Sequence, residues 1–157
     1  MSTPVGEGYR GAEGRLGYLL RQAYQAMRGR IDAVARAHGI TAPQFSVMSV
    51  LDHEPGLSGA QVARQSMLRA QSVNEIVLLL ERNGLVERRP DPGDRRARVV
   101  FLTAEGRRVL TAVDADVACI EQEALEGTTS TQQKALVTGL VRCAIRSAHG
   151  SDSDRGS

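Results

Sequence analysis

The sequence has no tryptophan, and three tyrosines and two phenylalanines bring the aromatic share to only 3%. A platform that stacks single-stranded bases needs several aromatics, so that class of binder is disfavoured. Lysine is nearly missing as well. Lys134 is the one lysine among twenty basic residues, and the rest are arginine. Cys119 and Cys143 are too few for a disulfide framework. No apolar run approaches the ~18 residues of a transmembrane helix, and the opening MSTPVGEGYRGAEG has no apolar signal core. These absences predict a cytoplasmic protein with no membrane span.

The 157 residues have the length of about one domain. Their net charge of +2 excludes a polybasic, histone-like binder. The charge is unevenly placed. Residues 57–108 carry ten basic and six acidic groups, whereas residues 109–157 carry four and seven. The middle of the chain is therefore its basic part.

Residues 1–14, with Gly6, Gly8, Gly11 and Gly14, predict a flexible arm. From Arg15 to His38, Leu16, Leu19, Leu20, Ala23, Met27, Ile31 and Val34 recur at helical steps, and Gly39 reads as the stop. Thr41 and Gln44 form a capping box around Pro43 and open a second helix. Ser58 and Gln61 open a short third one, roughly 59–65. A fourth helix, about 70–83, has the stripe Val73, Ile76, Val77 and Leu80, and Gly84 ends it. The period then changes to two strands, 85–89 and 98–103, around the turn Pro90-Asp-Pro-Gly-Asp94. Thr103 caps a fifth helix with stripe Val109, Val113, Val117, Ile120 and Ala124. A sixth opens at Ser130 with Gln133 as box partner and stripe Leu136, Leu140 and Cys143. Residues 149–157 predict a disordered tail.

The fold class is mostly α with a small β-hairpin wing. A winged helix-turn-helix over 41–103 is flanked by helices 15–38 and 104–148, inside one domain over 15–148. With Val73 inward, Gln71, Glu75 and Arg82 point outward, with Ser72 and Asn74 at the flanks. Such side chains can read base edges in a major groove. Arg69, just before this helix, suits a phosphate. Arg95, Arg96 and Arg98 at the hairpin tip suit a narrow, negative minor groove. The flanking helices are apolar enough to bury their stripes across a twofold, giving a homodimer on a palindromic double-stranded DNA site.

His38, His53 and His149 lack ligand spacing, so no metal or other cofactor is expected. Cys119 and Cys143 read as buried, inert thiols on apolar stripes. No phosphate loop or nucleophile elbow appears, which argues against an enzyme. A winged-helix protein-protein module is the alternative, supported by the apolar pair Leu78-Leu79.

Leu80-Glu-Arg-Asn-Gly-Leu-Val86, followed by Asp91-Pro-Gly-Asp94-Arg-Arg96 and Leu102-Thr-Ala-Glu-Gly106, resembles the MarR family of bacterial transcription regulators. The resemblance covers about residues 15–148. It implies a homodimeric repressor released from DNA by a small phenolic or aromatic compound. The pocket would lie among the first, second and fifth helices. It also implies that Arg96 enters the minor groove and that Asp94 braces the wing by pairing with an arginine. Arg69-Ala-Gln-Ser72 departs from the family's usual Ser/Thr-Pro start, and Glu75 and Leu78-Leu79 depart from its usual polar positions.

Overall fold

A computed structural model describes residues 4–152, with side chains described to residue 147. Helix α1 spans Leu16–Ala37, α2 Ala42–His53, α3 Gly59–Ser66 and α4 Ala70–Arg82. A two-residue strand β1, Leu57–Ser58, lies between α2 and α3. Strands β2 (Val86–Pro90) and β3 (Arg98–Leu102) form the wing, followed by α5 (Ala104–Ala124) and α6 (Ser130–Asp152). Among the described residues, no helix is long and apolar enough to cross a membrane.

Local signals explain most of these starts. The side chain of Thr41 accepts the backbone N–H of Gln44, and Gln44 Oε1 accepts the N–H of Thr41, which closes the box predicted for α2. Ser58 and Gln61 do the same for α3. At α6 the box sits one residue earlier than predicted. Thr129 and Gln132 form it, while Gln133 reaches back to Thr128. Two Thr residues in a row offer two frames, and geometry selects the second Thr.

The wing is a three-stranded antiparallel sheet of order β1-β3-β2, not a hairpin alone. Leu57 pairs with Val100 and Ser58 with Val99, and the Gly56 N–H donates to Val100 O at 3.1 Å. Two residues are too few to show an alternating pattern, so β1 leaves no sequence signal. On the other side, β2 pairs with β3 from Val86↔Leu102 to Pro90↔Arg98.

Within the arm expected over residues 1–14, the described residues 4–14 form local structure. A 3-10 turn at Gly8–Arg10 brings Gly6 and Gly11 together as a bridge. A Cβ on Gly11 would run into the carbonyl oxygen of Gly6, and one on Gly14 into that of Tyr9. The glycines therefore permit close approach as well as freedom. The turn docks on α1: the Tyr9 and Tyr18 rings stand 4.8 Å apart, and Arg10 Nε donates to Gln22 Oε1 at 3.1 Å.

The backbone forms two compact units that meet inside α5, one ending at Ile120 and one starting at Glu121. The single domain expected over 15–148 spans both units. The core of the first unit gathers Val47, Met48 and Leu51 of α2, Val62 of α3 and Val73, Val77 and Leu80 of α4. Val86, Val100 and Leu102 of the sheet and Val109, Leu110, Val113 and Val117 of α5 complete it. On α6 the apolar side chains Leu136, Val137, Leu140, Val141 and Ile145 are exposed. The helix runs on to Asp152, past the predicted end near His149, and residues 153–157 lie outside the described residues.

Candidate nucleic-acid interface

Helices α3 and α4 form the helix-turn-helix. Val73, Val77 and Leu80 bury one face of α4, and Ile76 is half-buried beside them. Ridge periodicity then fixes what lies outward. Gln71, Glu75 and Arg82 are exposed, as the phase of the stripe requires. Ser72 is half-buried. Asn74 is exposed at the flank, its side-chain oxygen close to Gly59 at the start of α3. Arg69 is the N-cap residue of α4 and its side chain makes no cap bond. Among the described residues, the first N–H groups of α4 thus have no side-chain cap, which leaves them open to an anion. Leu78 and Leu79 are 47% and 45% exposed on the second half of the outer face.

The wing turn is built by two aspartates. Asp91 Oδ1 accepts the Gly93 N–H at 2.7 Å, and Asp94 Oδ1 accepts the Arg96 N–H at 2.9 Å. The Ala97 N–H donates to Asp94 O, and the Asp91 N–H to Ala97 O. Asp94 therefore holds the turn through the Arg96 backbone, and among the described residues it makes no ion pair with a guanidinium, the partner that the resemblance implied. An Asx bond two residues on is within reach of a short carboxylate in a tight turn. Arg95, Arg96 and Arg98 are exposed, and among the described residues their side chains make no hydrogen bond or ion pair. Behind the tip, Arg89 stacks over the Phe101 ring at 4.7 Å and pairs with Glu87.

The junction of α4, β2 and α5 fixes the wing to the reading helix. Thr103 Oγ1 donates to Gly84 O at 2.6 Å and accepts the Gly106 N–H at 3.0 Å. The Thr103 N–H donates to Leu85 O, and a Cβ on Gly106 would collide with that same oxygen. Arg107 Nη1 of α5 reaches Asp52 Oδ1 of α2 at 2.6 Å. His38 Nε2, at the end of α1, lies 2.7 Å from Asp116 Oδ2 of α5.

A cavity of about 440 Å³ opens between α1 and the start of α2, lined by Gln25, Arg28, Gly29, Asp32, Arg36, Thr41 and Pro43. No residue of α5 lines this cavity. Arg28, Asp32 and Arg36 share one face of α1 at four-residue steps. Asp32 accepts Arg36 Nε at 2.8 Å and the Ala42 N–H at 3.1 Å. The Arg36 hydrogen bond, then the Ala42 N–H, hold its carboxyl below the ordinary value of 3.8, with Arg28 adding a weaker charge effect.

Two further expectations change. Cys119 is exposed and Cys143 half-buried, so neither is a buried stripe thiol. Val117 and Ile120 point inward, and a residue two after Val117 falls almost opposite it on a helix. Among the described residues, no group of three or more His, Cys, Asp or Glu side chains could hold a metal. His38 is engaged by Asp116, and the side chain of His149 lies outside the described residues.

Comparison with known proteins adds an independent view. A family model described as MarR family matches residues 38–97. The HTH-type transcriptional repressor Rv2887 of Mycobacterium tuberculosis is 32% identical over 119 residues, covering 76% of this chain and 86% of that protein. The transcriptional repressor CouR, solved bound to a 23-mer DNA duplex, is similar with a TM-score of 0.77 and 27% identity, over 92% of this chain and 99% of that one. Bordetella bronchiseptica BpsR, solved in work on regulation of its DNA binding by 6-hydroxynicotinic acid, is similar with a TM-score of 0.75 and 26% identity. That match covers 85% of this chain and 95% of BpsR.

Proposed function

Because this chain belongs to the MarR family of transcription regulators, we propose that it is a repressor that binds a palindromic double-stranded operator as a homodimer. The observation that carries the reading is the wing. Three guanidiniums with no partner among the described residues stand on and beside a turn shaped by Asp91 and Asp94, Arg98 being the first residue of β3. Unneutralised arginines on a compact loop suit a narrow minor groove. In this reading Arg96 enters the groove, and Arg95 and Arg98 hold the flanking phosphates. Gln71 and Glu75 face base edges, Ser72 and Asn74 serve at the flanks, and Arg69 meets a phosphate where α4 begins. Asp94 keeps the Arg96 backbone in place.

Two copies would bring two reading helices about 34 Å apart, one DNA turn. The exposed apolar face of α6 supplies a surface for the second copy. The cavity beside Arg28 suits the carboxylate of a small aromatic acid, whose binding would release the DNA, while Arg36 is already held by Asp32. The reading places the chain in the cytoplasm and gives it no catalytic step.

The test is retention of duplexes from a random pool, followed by a salt titration of the retained sequence. The reading expects a symmetric site and a steep fall in affinity with salt, from several phosphate contacts per dimer. Adding 6-hydroxynicotinic acid as probe should lower retention by wild type more than by Arg28→Ala. Weak binding to every duplex at low salt would sink the reading and leave the protein-protein module in its place.

A further inference from the structure

Met67 stands out in the helix-turn-helix. It is 91% exposed, and at φ 55° it is the one non-glycine with positive φ among the described residues. It ends α3 in a Schellman-type turn. The Met67 N–H donates to Arg64 O, and the Leu68 N–H to Ala63 O at 3.1 Å. That position most often holds glycine, because a Cβ is disfavoured in the left-handed region. Methionine here satisfies neither backbone preference nor burial. Folding alone gives no reason for it, and a strained, exposed side chain directs attention to a binding role.

Its neighbours in the chain define its place. Leu68 packs against the core and pins the turn from inside. Arg69, Ala70 and Gln71 follow directly and are exposed at the mouth of the reading helix. Met67 is thus the long apolar side chain at the entrance of a polar contact surface. A major groove offers polar edges throughout and one prominent apolar group, the 5-methyl of thymine. A flexible, polarisable thioether adapts well to such a methyl. Resting on the DNA-binding reading above, we propose that Met67 is a specificity-determining residue that packs on the 5-methyl group of one thymine in each half-site.

The experiment uses the full chain and the duplex retained from the random pool. Each thymine is replaced in turn by uracil, which removes the methyl and keeps the hydrogen-bonding edge. Wild type is compared with Met67→Gly, which suits the turn and keeps the fold, and with Met67→Leu, which keeps an apolar side chain. One position per half-site should weaken wild type about 4-fold on methyl removal, the worth of one buried methyl-sized group. Met67→Gly should be indifferent at that position, and Met67→Leu should retain part of the effect. The proposal is overturned if wild type is indifferent to uracil everywhere or if the retained half-site contains no thymine. It is also overturned if Met67→Gly shows the wild-type penalty at every position. If no duplex is retained at all, the DNA-binding reading fails and takes this inference with it.

Discussion

Single side chains divide here into those that hold the backbone and those left free to act. Asp94 Oδ1 accepts the Arg96 N–H, and among the described residues the Arg96 guanidinium makes no hydrogen bond or ion pair. Arg96→Ala should cost about 1–3 kcal/mol of specific binding per half-site. Arg96→Lys should recover little of it, since a planar fork and a point charge differ in a groove. Unchanged operator affinity in Arg96→Ala would remove the wing from the contact list. Asp32 holds in a different way. Its folded-state pKa lies below 3.8, through Arg36 first and the Ala42 N–H second. A depressed carboxyl contributes stability above its unfolded value and loses it as pH falls through the folded one. Asp32→Asn should therefore be less stable than wild type at neutral pH, with the gap closing only below about pH 4. Urea midpoints measured from pH 7 to pH 3 would show this, and a gap independent of pH would refute it.

Among the elements, the junction of α4, β2 and α5 leaves no room for a side chain at Gly106. Gly106→Ala would push a methyl into the Leu85 carbonyl oxygen, and backbone cannot step aside as a flexible side chain can. A loss of about 1–3 kcal/mol is expected. Thr103→Ala removes a cap and a tie to Gly84 together and should cost about 1 kcal/mol or more. Thermal unfolding of both variants checks the order. The elements also show what a sequence makes legible. The boxes at Thr41 and Ser58 were readable because capping is settled within four residues. The outward set on α4 was readable because one buried stripe fixes the phase of every other position. Strand β1 was hidden, since its pairing with Val99 and Val100 is a long-range fact carried by two residues. Cys119 lies close to a stripe in sequence but outside it in space, because two residues past Val117 a helix has carried the side chain to the other side. Met67 had a faint signal, the lack of glycine where α3 must stop. The ladder Arg28, Asp32, Arg36 had a clearer one, since four-residue spacing puts all three on one face.

At the scale of the whole molecule, the exposed α6 face asks for a partner. Leu140→Asp should shift the protein toward monomer in sedimentation. It should also weaken binding to a full palindrome by about 10²-fold or more, the avidity lost when two half-sites act alone. A variant that stays dimeric would move the interface elsewhere. The three-stranded wing carries one more consequence. Strand β3 is secured on both edges, to β2 along its length and to β1 at its root. Mechanically the wing is a cantilever clamped at its base, with the segment 91–97 as its free end. Thermal swing is then confined to a few residues, and entering a groove has to immobilise little more than the arginines themselves. Ser58 sits at the clamp and also caps α3, so any torque that does reach the root is delivered to the first turn of the helix-turn-helix.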